Sequence, residues 1–424
     1  MPSPPPTASS RGDAPPPGRP APLTSYQRWL FVFLGVATFF EGYDLFALAQ
    51  ILPNLRADMG LDPVYAGFLV SFASVGNVLA YFVVDRADRW GRKRVLTITI
   101  IGYTLFSLLT AFATDVWTFA LCQLVARIFL LGEYAVAMVY AAEEYPADRR
   151  GMVIGVIQAC ASLGAIVCAI VVPFLLQTPW GWRSVYLVGT VPLIIIAIAR
   201  RSLRETERFA RDAADGGSRD RSFGRILRTP YRTRVFQLAA IWALTLFCTQ
   251  NAVTFWKEFA IAERGMSDAQ VGTALAIASL ASLPFLFFVG LVLDVIGRRM
   301  GAVAAFLLTT LGVTSSYTLE SPGALTLALV VGILGTGSVL PVLNTYTAEL
   351  FPTEYRSEAF AWANNLIGRS AYLVSPLILG WSAGLVGWGP TLATTAVFPL
   401  AALVLILAFL PETVGRELEE TSRL

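Results

Sequence analysis

The stretch DRWGRKR, residues 88–94, returns as DVIGRRM, residues 294–300, at an offset of 206 residues. Downstream, EEYPADRRG at 143–151 matches ELFPTEYRS at 349–357 at the same offset. Asp88 and Glu143 stand 55 residues apart, and so do Asp294 and Glu349. Gly91 with Gly297, Pro146 with Pro352, Arg150 with Arg356 and Trp182 with Trp388 keep the spacing too. Six matched pairs point to a chain built twice from one pattern, both copies running in the same direction.

What lies between these charged loops is apolar. Of 424 residues 55% are hydrophobic and only 14% charged, far from the roughly 25% charged residues of a soluble domain. Apolar windows of about 20 residues, enough to cross ~30 Å of hydrocarbon at ~1.5 Å per residue, recur along the chain. They are apolar all round, which suits spanning helices rather than a barrel or a soluble core. Twelve spans are predicted, at 29–51, 64–84, 95–113, 117–142, 152–176, 184–199, 235–256, 270–293, 301–319, 323–347, 359–382 and 391–410. The expected fold is an all-α membrane protein of twelve transmembrane helices in two pseudo-symmetric six-helix halves. The halves fall at 26–199 and 235–413, joined by an Arg-rich cytoplasmic connector at 200–234. A Pro-rich tail at 1–25, read as disordered rather than as a targeting peptide, and a short tail at 414–424 flank them.

Lys and Arg favour the cytoplasmic side of short loops. With the N-terminus inside, Arg56, Arg183, Lys257 and Arg264 are the external exceptions, and Arg127 and Arg369 lie within spans. All the other Lys and Arg residues are then cytoplasmic. This predicts a multi-pass protein of the cell's inner (plasma) membrane with both termini cytoplasmic. The net charge of +3 reflects that topology and not nucleic-acid binding. Cys122, Cys160, Cys168 and Cys248 all fall in spans, with no metal or disulfide spacing, and read as packing residues. Histidine is absent, so a proton handled near neutral pH must ride on a carboxylate. No nucleotide loop, metal cluster or nucleophile–base pair argues for an enzyme or a cofactor.

Two parallel helical halves place a substrate site between them near mid-membrane. Beyond that, the chain resembles the major facilitator superfamily over nearly its whole length after the tail. That family's loop signature is matched by Asp88, Arg89, Gly91, Arg92 and Lys93, with Val84 in place of the usual first Gly. The second copy keeps Gly290, Asp294, Gly297, Arg298 and Arg299, with Val295 in place of the Arg. The expected role of these loops is a cytoplasmic clamp. Asp88, Arg92, Glu143 and Arg150 in one half, and Asp294, Arg298, Glu349 and Arg356 in the other, can pair through charge-assisted hydrogen bonds. Such pairs would hold the inner gate shut in the outward-open state; the bland alternative is a set of positive-inside anchors.

Mid-span charge is the strongest functional signal, since a charge at the bilayer centre costs about 2.5–3.5 kcal/mol on insertion scales. In FFEGYDLFALAQ, residues 39–50, Glu41 and Asp44 lie three apart, roughly 60° round one side of the first span. Arg127 and Arg369 lie at similar depth in the fourth and eleventh spans. Glu133 follows Arg127 by six positions, about 240° further round the helix, and is expected to face a neighbouring helix. Burial favours the neutral form of a carboxyl and a nearby Arg favours the charged form, so motion of the Arg or an arriving anion can switch the proton. The alternative is a structural pair in which one acid merely neutralises Arg127.

EGYDLFALAQILPNL, residues 41–55, resembles the first helix of the aromatic acid:proton and related metabolite:proton symporters, with Glu41 where Asp is usual. NNLIGRSAYLVSPLILG, residues 364–380, resembles their eleventh helix. The resemblance implies that Glu41 and Asp44 carry the proton and that Arg369 grips a substrate carboxylate, with Arg127 assisting. Polar residues at like depth could line the cavity: Gln158, Gln250, Asn251, Asn344, Asn364 and Asn365, or each could be helix–helix glue. Tyr43, Phe255 and Trp256 could stack on an aromatic substrate or simply pack. The leading expectation is a monomeric transporter of a small organic anion, importing it with protons by alternating access. The alternatives are proton-antiport efflux of drugs or metabolites, and sugar uptake.

Overall fold

A computed structural model describes residues 23–199, 203–204, 225–352 and 355–414, without the side chains of residues 81, 82, 84–89, 147, 148, 150, 151, 287 and 357. Most of the connector, most of the N-terminal tail and the end of the C-terminal tail lie outside the described residues. Six helices form the first half: α1 (Ser25–Met59), α2 (Pro63–Trp90), α3 (Arg92–Ala111), α4 (Val116–Glu144), α5 (Ala147–Leu175) and α6 (Arg183–Ala199). The second half holds α7 (Arg232–Thr254), α8 (Trp256–Ala262), α9 (Asp268–Ile296), α10 (Arg298–Thr318) and α11 (Pro322–Glu349). It closes with α12 (Arg356–Phe360), α13 (Ala371–Val386), α14 (Trp388–Thr394) and α15 (Val397–Phe409).

Local chemistry sets the helix starts. Thr24 caps α1 in a reciprocal box with Gln27, and Ser267 caps α9 in the same way with Gln270. Asp115 caps α4 through the backbone N–H groups of Trp117 and Thr118. Among the described residues, ten helices are long and apolar enough to cross a membrane, and α6 is a shorter apolar one. The remaining crossing is interrupted: between α12 and α13 the chain runs as a π-helix, Ala361–Ile367, then a 3₁₀ turn, Gly368–Ser370. The expected unbroken helix over 359–382 is therefore broken from Ala361 through Arg369, a kind of break frequent at functional sites.

The internal repeat is three-dimensional. In the first half α2 and α3 both pack on α4; in the second α9 and α10 both pack on α11. The α1–α5 pairing is echoed by α7 against the π-helical segment. The halves meet along α2 with α13 and along α5 with α9. A Cβ on Gly67 of α2 would sit 2.1 Å from the Pro376 carbonyl oxygen, so only glycine permits the approach of α2 to α13.

The buried apolar side chains divide unevenly. At the basic end each half has its own core, around Leu96, Leu130 and Tyr140 in the first and around Trp242, Phe306 and Tyr346 in the second. At the opposite end one core runs through both, joining Ile51, Leu52 and Val172 to Phe255, Trp256 and Trp388. The two halves are thus sealed together at the end poor in Lys and Arg.

Candidate transport site

Glu41 and Asp44 reach the middle of the bundle because α5 lies hard against α1. A Cβ on Gly164 would stand 1.8 Å from the Phe39 carbonyl oxygen. Both acids are buried, Glu41 at 2% and Asp44 at 8% exposure. Around Asp44 gather the half-buried Arg127 of α4, the Tyr103 hydroxyl of α3, and Tyr186 of α6. Glu41 also acts on Tyr103 and, on its other side, on Tyr134 of α4. The two acids therefore share Tyr103 but look toward different neighbours, as their offset on the helix requires.

Glu133, 1% exposed, lies within electrostatic reach of Tyr103. It faces the neighbouring helix α3, as its place round α4 relative to Arg127 leads one to expect. A third carboxylate thus adjoins the first two, and it reaches them through a tyrosine that the sequence did not single out. The signal for Tyr103, Tyr134 and Tyr186 was faint: each is one tyrosine in an apolar run, where packing is the usual reason for its presence.

Arg369 comes from the second half. It acts on Tyr134 and on Tyr372, and Tyr134 also faces Gln158. Tyr134 is the place where Glu41 of one half and Arg369 of the other come within range of a common group. Gln158, Gln250 and Asn344 have exposed side chains, Asn365 is half-buried, and Asn364 is buried with its amide oxygen free of protein partners. The exposed Gln158, Gln250 and Asn344 and the half-buried Asn365 can meet a solute, whereas Asn364 is closed off in this conformation.

Asn251 cannot meet one in this conformation. It is fully buried, and its amide nitrogen donates to the Phe247 carbonyl oxygen and to Ser375 Oγ at 2.7 Å, joining α7 to α13. The stacking expectation also fails for the three aromatics. Tyr43 is buried and donates to the Val185 carbonyl oxygen at 3.3 Å. Phe255 stacks on Trp388 with ring centres 4.8 Å apart, and Trp256 donates to the Ser316 carbonyl oxygen. All three hold helices together. The four cysteines are free, and Cys168 and Cys248 are fully buried, as packing residues would be.

Among the described residues, some of the loop charges pair, each within its own half. Arg92 meets Glu143 at 3.0 Å in the first half; Arg298 meets Asp294 at 2.6 Å and Glu349 at 2.9 Å in the second. Arg356 joins none of the ion pairs found among the described residues, and the side chains of Asp88, Arg89 and Arg150 lie outside them. At the basic end these pairs tie helices within each half, and no inter-half clamp is formed among the described residues. A residue the loop reading passed over completes the second cluster. Glu412 accepts from the backbone N–H groups of Arg298 and Arg299 at 2.8 and 2.9 Å, capping α10 from the end of α15.

A chain with this repeat and this central site has many relatives. Residues 34–259 and 238–423 both match the model of the Major Facilitator Superfamily. The sialic acid transporter NanX of Escherichia coli is 25% identical over 379 residues, covering 87% of this chain and 91% of that one. A gallate transporter of Pseudomonas putida is 27% identical over 426 residues, 91% of this chain and 92% of its own. Among solved structures, the xylose transporter XylE from E. coli superposes with a TM-score of 0.75 at 18% identity, covering 93% of this chain and 99% of that one, which shows the shared fold. With both halves matched by the family model, the chain belongs to the Major Facilitator Superfamily and is a transporter rather than an enzyme.

Proposed function

We propose that this protein takes up a small organic anion, an aromatic or other carboxylate, together with protons, by alternating access across the cell's plasma membrane. The observation that carries the reading is the meeting of charge around two tyrosines. Buried Glu41 and Asp44 of the first half both act on Tyr103, and Asp44 also on Arg127, while Arg369 of the second half shares Tyr134 with Glu41. Relatives named for sialic acid, gallate and muconate support an acidic substrate.

The chemistry follows from charge balance in a medium of low dielectric. An empty site with Asp44 ionised is stabilised by Arg127, and an incoming carboxylate competes for the positive charge. That competition makes the neutral form of Asp44 or Glu41 favourable when substrate is bound, so proton and anion enter together. Arg369 supplies a planar, bidentate donor pair suited to a carboxylate. Because it belongs to the half opposite the acids, substrate bound to it ties the two halves around the cavity. The proton gradient is the energy source on this reading, with the basic end on the cytoplasmic side and the protein acting as a monomer.

The test is uptake of labelled gallate, and of a panel of aromatic and aliphatic acids, into proteoliposomes. Accumulation should follow an imposed inward proton gradient, collapse with a protonophore, and vanish in Asp44→Asn. Uptake of a carboxylate unaffected by the protonophore would refute the coupling.

A further inference from the structure

At the end of the bundle poor in Lys and Arg, four charges outside the transport site come together where the two halves meet. Arg56, near the end of α1, meets Glu258 of α8 at 2.5 Å. Lys257, the residue before Glu258, meets Asp268 at the start of α9 at 2.5 Å and also donates to the Gln50 carbonyl oxygen of α1. Asn54 of α1 donates to the second oxygen of Asp268 at 3.2 Å. Lys257 and Glu258 are each only 1% exposed. Three of these contacts cross from one half to the other: Arg56 to Glu258, Lys257 to Gln50, and Asn54 to Asp268.

A lysine and a glutamate this deeply buried would be costly without their partners, and the partners come from both halves. If α1 moved away from α8 and α9, Lys257 and Glu258 would have to be rehydrated. The contacts therefore exist only while this end is closed. At the basic end, by contrast, the ion pairs among the described residues stay within a half. The shared apolar core lies at the same end as the crossing charges, and the separate cores at the other.

We propose that Arg56, Asn54, Lys257, Glu258 and Asp268 form the external gate, a polar lock that closes this end of the transport pathway and must come apart for the outward-open state. The lock rests on the alternating-access reading but not on the identity of the substrate or on proton coupling. Its asymmetry is specific. The second half contributes a buried lysine and two carboxylates, and the first half answers with one guanidinium, one amide and one backbone carbonyl. Lys257 is the centre of it, since its ammonium holds Asp268 in place for Asn54 while reaching α1 itself.

Cys168 of α5 supplies a native reporter. It is fully buried and lies within electrostatic range of both Asp44 and Lys257, between the central site and the lock. In a protein with Cys122, Cys160 and Cys248 changed to Ser, a membrane-impermeant thiol reagent offered from the lock's side should label Cys168 slowly. Asp268→Asn, which strips the counter-charge from Lys257, and Arg56→Glu should each raise that rate at least tenfold with no substrate present. The exchange Arg56→Glu with Glu258→Arg should bring it back toward the starting value. Labelling at the same rate in all of these would overturn the gate, whereas a failed uptake assay would bear only on the transported compound. Should a charge variant fail to insert, Val64→Cys of α2 with Gly384→Cys of α13 in a cysteine-free background gives a second reading that leaves every lock residue in place, since a Cβ on Gly384 would stand 3.8 Å from Val64 Cγ2 across the same closed end. The pair should cross-link with a short bifunctional thiol reagent, and a well-inserted pair that never cross-links would overturn the proposal equally.

Discussion

Gly91 and Gly297, equivalent positions in the two copies of the repeat, share one unusual backbone conformation: φ 93° and ψ 148° in the first, φ 90° and ψ 160° in the second. Both stand immediately before a helix that starts with arginine, α3 or α10. The repeat read from the loop sequences is thus a repeat of backbone geometry at a position only glycine occupies without strain, at a cost of about 1–3 kcal/mol for any other residue.

Gly297→Ala is expected to lower the melting temperature of the purified protein. The added Cβ would also press on Glu412 Oε2 at 2.9 Å. Gly290→Ala on the preceding helix is the control, because nothing lies within 4 Å of its Cβ position. Equal melting temperatures for the two variants would contradict the claim of strain.

Glu412 gives a prediction in pH. Burial by itself would lift its carboxyl, but the N–H groups of Arg299, Arg298, Val414 and Thr413 outweigh it and hold it below the ordinary glutamate range. A carboxylate so depressed stabilises the fold fully above the ordinary value of about 4.3, and the benefit fades as pH falls through the lower native value. Melting curves should therefore show Glu412→Gln below the parent protein at neutral pH, with the gap closing as the solution is acidified past the glutamate range. A gap that widened on acidification would reverse the assignment.

The fold was legible because the repeat and the apolar windows are redundant signals: each helix is announced by length, composition and its twin in the other copy. Glu41, Asp44, Arg127 and Arg369 stood out for the same kind of reason, as charges where the bilayer disfavours charge. The tyrosines that join them carried no such penalty and were hidden among packing aromatics. Asn251 shows the converse, since its polarity marks a helix contact rather than a cavity wall, and one sequence position cannot say which way an amide points. The break before Arg369 was hidden because a π-helix keeps the composition of the α-helix it interrupts. The lock around Lys257 was missed for a different reason. External basic residues are ordinary in a loop, and only the packing of α8 shows that two of the charges are buried.

The contrast between two adjacent amides can be measured. Asn251→Ala should lower the melting temperature, because it removes the interhelical hydrogen bond to Ser375. A bond of that kind between membrane helices contributes about 1 kcal/mol. KM for the substrate should stay unchanged. Gln250→Ala, whose side chain is exposed, should shift KM and leave melting untouched. If the two phenotypes exchanged places, the assignment of Gln250 to the cavity would be wrong.

Gly164 links packing to function. A methyl group there would meet the Phe39 carbonyl oxygen at 1.8 Å, so α1 and α5 would have to separate. Overpacking of this kind costs typically about 1–3 kcal/mol. Separation would also carry Glu41 and Asp44 relative to Tyr103 and Arg127, which stand on α3 and α4. Gly164→Ala is therefore expected to lower both melting temperature and proton-driven uptake. Gly155→Ala, on the same helix with nothing within 4 Å of its Cβ position, should change neither. If Gly164→Ala melted lower yet kept full gradient-driven uptake, the placement of the two acids would not depend on the α1–α5 contact, and the geometric basis for proton coupling would fall with it.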